Sequence, residues 1–134
     1  MVDASQSDAE LAAILSEART LAVVGIKAAE AEDAFRVPKY MQDQGYEIVP
    51  VNPKLECVLG EPAFADLGEV QAAGRAVDLV NLFRASDKIA RHVDEILAMT
   101  PLPRTVWMQL GIQDGASAAR LRAVGIRVVQ DRCI

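Results

Sequence analysis

At 134 residues the chain has the length of one domain, and 51% hydrophobic with 25% charged residues suit an aliphatic globular core. Its net charge of -5 disfavours nucleic acid and anionic membranes as partners, because both need a basic surface. No apolar run approaches the ~20 residues of a membrane-spanning helix, and residues 1–8 lack the basic and apolar regions of a secretory signal. Cys57, Cys133 and one histidine are too few for a zinc site and form no disulfide framework, so we expect a reduced, cytoplasmic protein.

The predicted elements alternate between helices and strands along the whole chain. In chain order they are a helix over 7–18 opened by the capping box Ser7–Glu10, a strand over 20–26, a helix over 34–44 with Pro38 in its first turn, a strand over Glu47–Val51, a short strand near Glu61–Phe64, a helical turn over 66–72, a strand over Val77–Phe83, a helix over 86–99 with Ser86 as N-cap, a strand over Thr105–Leu110, a helix over 114–124 and a strand over Ile126–Gln130. This alternation predicts one α/β domain over residues 1–134. We expect a doubly wound, Rossmann-like, mainly parallel sheet of order 3-2-1-4-5-6 with helices on both faces.

Basic residues follow three of the predicted strands. Lys27 comes after the first strand, Lys54 after the second and Arg84 after the fourth, while Arg36 and Lys39 lie on the first turns of the second helix. In an open α/β sheet the ligand lies at the carboxyl ends of the strands, so cations gathered there on an acidic protein predict an anionic ligand such as a phosphate. The alternative is that they are solvated surface cations, which we favour for each residue alone but not for the set.

Gly25, at the end of the first strand, would let backbone N–H groups approach such a ligand closely. The dinucleotide pattern G-x-G-x-x-G is nevertheless missing, because no glycine follows before Gly45. Neutral Asn52 stands where an NAD-binding protein carries an acidic residue. The phosphate-loop pattern of triphosphate-binding proteins is also missing. These departures argue against an NAD-linked oxidoreductase and against a triphosphate site.

Several blocks of the sequence, in order, resemble the small stand-alone CoA-binding protein family of bacteria and archaea. They are Val24-Gly25, Val37–Pro53, Gly60-Glu61, Val77–Arg84, Val106–Ile112 and Asp131–Cys133, and the resemblance spans residues 21–133. This family is similar to the CoA-binding domain of succinyl-CoA synthetase α chains and of NDP-forming acyl-CoA synthetases. The resemblance therefore implies coenzyme A as the ligand.

The resemblance also implies roles for individual residues. It places Gly25, Ile26 and Lys27 with the helix start near Ala34 around the pyrophosphate, Asn52, Pro53 and Lys54 along the adenosine and its 3′-phosphate, Phe83 and Arg84 on the adenine or pantetheine side, and Gln109 with Gly111 at the border of the pantetheine arm. CoA carries more negative charge than NAD, which suits cations better than a ribose-binding carboxylate. Glu30, Glu32 and Asp33 depart from the family pattern. Their carboxylates would repel the phosphates of a ligand bound beside them.

No residue in the sequence predicts catalysis on its own. Cys133 could pair with the CoA thiol, but we expect it and Cys57 to be buried and inert. His92 is interpreted as a surface or packed structural residue and Trp107 as core, while Asp78 has no evident partner. We therefore predict a module that binds CoA or acyl-CoA without catalysis of its own. The alternative is a subunit of a nucleotide-dependent acyl-CoA synthetase that works with a separate partner chain, and an enzyme partner and a homodimer both stay open.

Overall fold

The computed structural model of the protein describes residues 7–134. Residues 1–6, which form most of the stretch where we found no secretory signal, lie outside the described residues. The elements in chain order are α1 (Asp8–Glu17), β1 (Thr20–Val24), α2 (Asp33–Asp43), β2 (Glu47–Val51), β3 (Cys57–Val58), β4 (Glu61–Pro62), α3 (Leu67–Ala72), β5 (Leu79–Leu82), a 3₁₀ turn (Ser86–Lys88), α4 (Ile89–Leu97), β6 (Thr105–Met108), α5 (Gly115–Ala123) and β7 (Arg127–Val129). Within this part of the chain, every helix is too short or too polar to cross a membrane.

Five parallel strands form one sheet in the order β2-β1-β5-β6-β7. This confirms the α/β architecture and the predicted order for these strands. The predicted outermost strand over Glu61–Phe64 differs, because only Phe64 bridges to Val51 of β2. The residues before it form β4, which pairs antiparallel with β3 around a tight turn. In that turn both Leu59 and Gly60 have positive φ, 57° and 76°.

Successive side chains of a strand point to opposite faces of the sheet, and here both faces are buried. In β1, Ala22 and Val24 pack in a layer with α3, α4 and α5, whereas Leu21 and Val23 pack in a second layer with α1 and α2. Helices thus cover both faces of the sheet, as predicted. With both faces covered, the loops at the strand ends are where the chain can place polar groups around a ligand.

Pro38 lies inside α2, not in the first turn where the sequence pattern placed it. In a regular helix the N–H of residue 38 would bond to the carbonyl of Ala34, four residues earlier, but proline has no N–H. The amide of Lys27 donates to that carbonyl instead, at 3.2 Å. The proline therefore leaves an acceptor that ties the loop after β1 to α2.

The predicted N-cap Ser86 lies in the 3₁₀ turn that precedes α4 and does not cap the helix. Its Oγ instead accepts a hydrogen bond from the amide of Gln113 at 3.0 Å, which ties the start of α4 to the loop before α5. The helix turns Ile89, Val93 and Ile96 into the core. The polar side of α4 lies at the carboxyl edge of the sheet.

Other single residues divide between confirmed and wrong predictions. Trp107 is in the core, as predicted, and its Nε1 donates to the carbonyl of Arg132 at 2.7 Å. Asp78 does have partners, because its Oδ2 accepts from two backbone amides. Cys57 and Cys133 are both exposed and free, so the prediction that they are buried is wrong.

Candidate functional site

A groove of about 620 Å³ opens at the carboxyl ends of β1, β2 and β5. Its walls are Val24, Gly25 and Lys27 after β1, Val51, Asn52, Pro53 and Lys54 after β2, Ala65 and Asp66 before α3, Phe83, Arg84 and Ala85 after β5, and Lys88, Arg91, His92 and Glu95 at the start of α4. From β1 the chain runs to β2 on one side and later to β5 on the other, so the groove lies where the strand order reverses. Its volume is within the roughly 300–1,000 Å³ of small-molecule sites.

Gly25 is glycine because of the neighbouring strand, not because its amide faces the groove. Its φ is +87°, and a Cβ at this position would lie 2.3 Å from the carbonyl oxygen of Phe83. Its N–H donates to the carbonyl of Val51 at 2.9 Å. The amides of Gly25 and Lys27 are thus both bonded within the protein, and side chains rather than these amides face the groove.

Asn52 joins the loops that follow β1 and β2. Its Nδ2 donates to the carbonyl of Ile26 at 2.7 Å, and its Oδ1 accepts from the amide of Lys54 at 2.8 Å. A carboxylate at this position could not make the first of these bonds, and it would add negative charge to the groove wall. The neutral residue therefore suits both the loop geometry and an anionic ligand.

Four cations of the groove are unpaired, meaning that their side chains make no hydrogen bond or ion pair within the part of the chain that is described. They are Lys27, Lys54, Lys88 and Arg91. Six cations elsewhere do have carboxylate partners, in the pairs Arg36–Asp33, Lys39–Asp43, Arg75–Glu47, Arg120–Asp94, Arg127–Glu17 and Arg132–Asp8. A concave surface lined by unpaired charge of one sign focuses the field and attracts counter-ions.

Arg84, the fifth groove cation, is held by an imidazole. Its Nε donates to Nε2 of His92 at 3.2 Å, and Nδ1 of His92 lies 2.8 Å from Oε1 of Glu95. A guanidinium has no lone pair to offer, so Nε2 of His92 must be the acceptor and Nδ1 must carry the ring proton. With its side chain only 12% exposed, His92 is packed into the groove wall.

Seven of the residues that we predicted for the site line the groove, namely Gly25, Lys27, Asn52, Pro53, Lys54, Phe83 and Arg84. Four others lie outside it. Ile26 is fully buried, and Ala34 offers its carbonyl to Lys27. Gln109 is 3% exposed and donates to Oδ1 of Asn81 at 2.7 Å, while the amide of Gly111 donates to Oδ1 of Asp131 at 2.6 Å. These four residues support the loops around the sheet edge.

The acidic loop between β1 and α2 stays out of the groove. Glu30 and Glu32 are exposed and are not groove-lining residues, and Asp33 pairs with Arg36 on the surface. The repulsion expected from these carboxylates therefore does not arise at the groove walls. The carboxylates that do line it are Asp66, which accepts from the amide of Glu69, and Glu95, which faces His92.

The face of α4 toward the groove was not among the residues predicted for the site. Lys88, Arg91, His92 and Glu95 recur at i, i+3, i+4 and i+7, which is the spacing of one helix face. Such a face reads as solvent-exposed when the helix is considered alone. The signal that could have found it is position, since this face begins six residues after β5 ends, at the carboxyl edge of the sheet.

The fold and the groove together define a class, a Rossmann-like α/β protein with a cationic groove where the strand order reverses. Comparison with known proteins supplies the family. The model of the family described as "CoA binding domain" matches residues 19–134, so the chain belongs to the CoA-binding domain family. The resemblance noted in the sequence is thereby confirmed.

Relatives of known sequence or structure are similar along nearly their whole length. The chain is 36% identical over 128 residues to the uncharacterized protein YneT of Bacillus subtilis (strain 168), covering 96% of this chain and 91% of that protein. It is 37% identical to the structure of cell-free ID.343 from Thermus thermophilus, with a TM-score of 0.87 and coverage of 96% and 94%. A hypothetical protein from Pyrococcus horikoshii OT3 is 26% identical, with a TM-score of 0.88 and coverage of 99% and 90%.

Proposed function

We propose that this chain binds coenzyme A, free or as an acyl thioester, in the groove at the carboxyl edge of the sheet. The observation that carries the proposal is the set of four unpaired cations, which lie with Arg84 around one groove of an otherwise acidic protein. CoA carries a diphosphate and a 3′-phosphate. Together these bear about four negative charges near neutral pH, because a phosphate monoester loses its second proton with a pKa of about 6.

The groove offers places for the parts of such a ligand. In our proposal the diphosphate lies near Lys27 and the 3′-phosphate near Lys54, which the sequence resemblance also implies. Lys88, in the 3₁₀ turn before α4, and Arg91, on α4, add positive charge on the facing wall. Phe83 offers an apolar surface for the adenine or the pantetheine.

We propose a binding role without catalysis. Among the described residues that line the groove there is no Ser, Thr or Cys, and the one imidazole is engaged on both nitrogens. Chemistry at the thioester would then depend on a partner chain. Co-purification with a second chain that makes thioester formation nucleotide-dependent would support the synthetase-subunit alternative instead.

Thermal unfolding with a panel of nucleotides tests the proposal. The protein is heated with equal concentrations of CoA, dephospho-CoA, NAD or ATP, and a ligand that binds only the folded state raises the unfolding temperature. We expect the largest rise with CoA, a smaller rise with dephospho-CoA because one phosphate is missing, and little with NAD. Stabilisation by NAD alone, or by none of the four compounds, would refute the proposal.

A further inference from the structure

Arg84 is the groove cation that the fold holds in place. Its aliphatic stem passes Gly25, where a Cβ would lie 3.1 Å from Arg84 Cδ, and its Nε is bonded to His92. His92 and its own partner Glu95 lie in the groove wall, with side chains 12% and 29% exposed. The bond to Nε uses one of the five N–H donors of the guanidinium and fixes the plane in which the others lie.

We propose that His92 and Glu95 are positioning residues for Arg84, and that neutral His92 orients the guanidinium for an anion in the groove. Glu95 accepts from Nδ1–H and so keeps the lone pair of His92 on Nε2, where Arg84 needs an acceptor. The inference rests on the proposed function, because it concerns an anion in the same groove. It adds that binding depends on the lone pair of His92 Nε2, which holds Arg84 in place.

The benefit of this arrangement is preorganisation. An arginine side chain loses rotamer entropy when it is fully ordered. The bond to His92 restricts the Arg84 side chain before any ligand arrives. A ligand phosphate then meets a guanidinium already in place, which improves affinity without a new contact.

Protonation of His92 has two opposing effects. The imidazolium has no lone pair, so Arg84 loses its acceptor and a like charge is placed beside it. The same proton adds a positive charge that would attract an anion. The charged groups that line the groove with His92 are Arg91 and Glu95 on its own helix, Lys88 in the 3₁₀ turn before it, and Arg84, Asp66, Lys54 and Lys27 from the other walls. Because Glu95 lies 2.8 Å from the ring and would offset the added charge, we expect the loss of the acceptor to dominate.

The test is the pH dependence of dephospho-CoA binding, measured by titration calorimetry at constant ionic strength. This ligand keeps a diphosphate diester whose charge is constant from about pH 5.5 to about pH 8, the range in which histidine titrates. We expect the affinity of the unchanged protein to fall about threefold to tenfold at the acid end, the loss of one oriented charged hydrogen bond. A parallel titration with CoA at the alkaline end shows whether the groove binds at all.

Three variants separate positioning from a structural role. His92→Gln supplies a neutral acceptor that does not titrate, so it should bind as tightly as the unchanged protein at alkaline pH and lose the pH dependence. His92→Phe removes the acceptor and should bind about threefold to tenfold more weakly at every pH. Glu95→Ala removes the acceptor of the Nδ1–H, so the tautomer of His92 is no longer fixed and binding should weaken even at alkaline pH.

The outcomes distinguish the two proposals. If neither CoA nor dephospho-CoA binds the unchanged protein at any pH, the proposed function fails and this inference fails with it. If they bind but the affinity is independent of pH, or rises toward acid pH, the positioning role alone is refuted. Equal binding by His92→Phe and the unchanged protein refutes it as well. Should His92→Phe not fold, the pH profile of His92→Gln decides.

Discussion

The amino and carboxyl ends of the parallel strands differ in how their charged side chains are used. At the amino end, Oδ2 of Asp78 accepts from the amides of Arg19 and Thr20, both at 2.9 Å, and Glu47 accepts from the Thr20 hydroxyl and from Arg75. The cavity beside them is about 10 Å³, no larger than one water molecule. At the carboxyl end, a groove of about 620 Å³ is lined by unpaired cations.

Unpaired charge alone does not distinguish the two ends. Arg19 and Arg104, at the amino end, also have side chains with no partner within residues 7–134. What distinguishes the carboxyl end is the combination of unpaired cations with an open groove on which they converge. The amino end supplies matched controls, because these two arginines carry the same charge as the groove cations without a groove beside them.

The largest effect is expected at Gly25, which lies against the backbone of Phe83 at the carboxyl end of the strands. In Gly25→Ala, the new Cβ would lie 2.3 Å from the Phe83 carbonyl at a φ of +87°. Because backbone atoms must move, we expect a loss of at least about 3 kcal/mol in the free energy of unfolding, together with loss of CoA binding. Urea denaturation measures the first and calorimetry the second.

Gly45→Ala is the control for that variant. Gly45 has a φ of +103°, but no atom lies within 4 Å of the place that a Cβ would take, so only backbone strain of about 1–2 kcal/mol applies. Its CoA affinity should be unchanged. Equal loss of stability in the two variants would show that contact with Phe83 is not what requires glycine at position 25.

A smaller loss of stability is expected at the amino end. Asp78→Ala leaves the amides of Arg19 and Thr20 without their acceptor, which should lower the free energy of unfolding by about 2–3 kcal/mol. CoA affinity should not change, because the groove lies at the opposite end of the strands. Asp78→Asn keeps an oxygen acceptor and should lose less. A large change in CoA affinity in folded Asp78→Ala would break the division between the two ends.

Removing cations at the carboxyl end should do the reverse of Asp78→Ala, lowering CoA affinity while leaving stability nearly unchanged. Lys88→Ala with Arg91→Ala should weaken CoA binding about tenfold to thirtyfold, since two charged contacts of about 0.7–1 kcal/mol each are lost. The free energy of unfolding should stay within about 0.5 kcal/mol, as expected for surface substitutions. Arg19→Ala with Arg104→Ala removes the same charge outside the groove and should leave affinity unchanged. If both pairs weaken binding equally, net charge rather than the groove governs it.

Salt should have the smallest effect, and it should lower CoA affinity without changing the free energy of unfolding. Raising NaCl from about 50 to about 200 mM shortens the screening length to below about 8 Å, and CoA affinity should fall about threefold. The free energy of unfolding should change little, because the surface ion pairs contribute little to stability. Affinity that is independent of salt would mean that the unpaired cations do not hold the ligand.

Most of the fold could be predicted from the sequence because the strands are short runs of aliphatic residues separated by helices. The predicted bounds of β2, Glu47–Val51, are the observed ones. The exception is the stretch that contains β3 and β4. Its turn needs positive φ at both central residues, and Leu59 gives no sequence signal for that conformation although Gly60 does. The hairpin was therefore missed, and the expected outer strand is reduced to the bridge at Phe64.

Of the candidate site, only residues that come soon after the end of a strand could be predicted from the sequence. Lys27, Lys54 and Arg84 were found because the carboxyl ends of neighbouring parallel strands must meet. Lys88 and Arg91 were missed because a polar helix face reads as solvent-exposed without knowledge of what it faces. Gln109 also follows a strand, but its bond to Asn81 keeps it buried, a pairing between strands that no local pattern shows.

The most direct test of the central claim is a map of backbone amide chemical shifts during titration with CoA. If the unpaired cations around the groove hold the ligand, the largest changes will lie at Lys27, Lys54, Arg84, Lys88 and Arg91, while amides near Asp78 and Arg104 stay unchanged. Changes confined to the amino end of the strands, or no change at saturating CoA, would contradict the account.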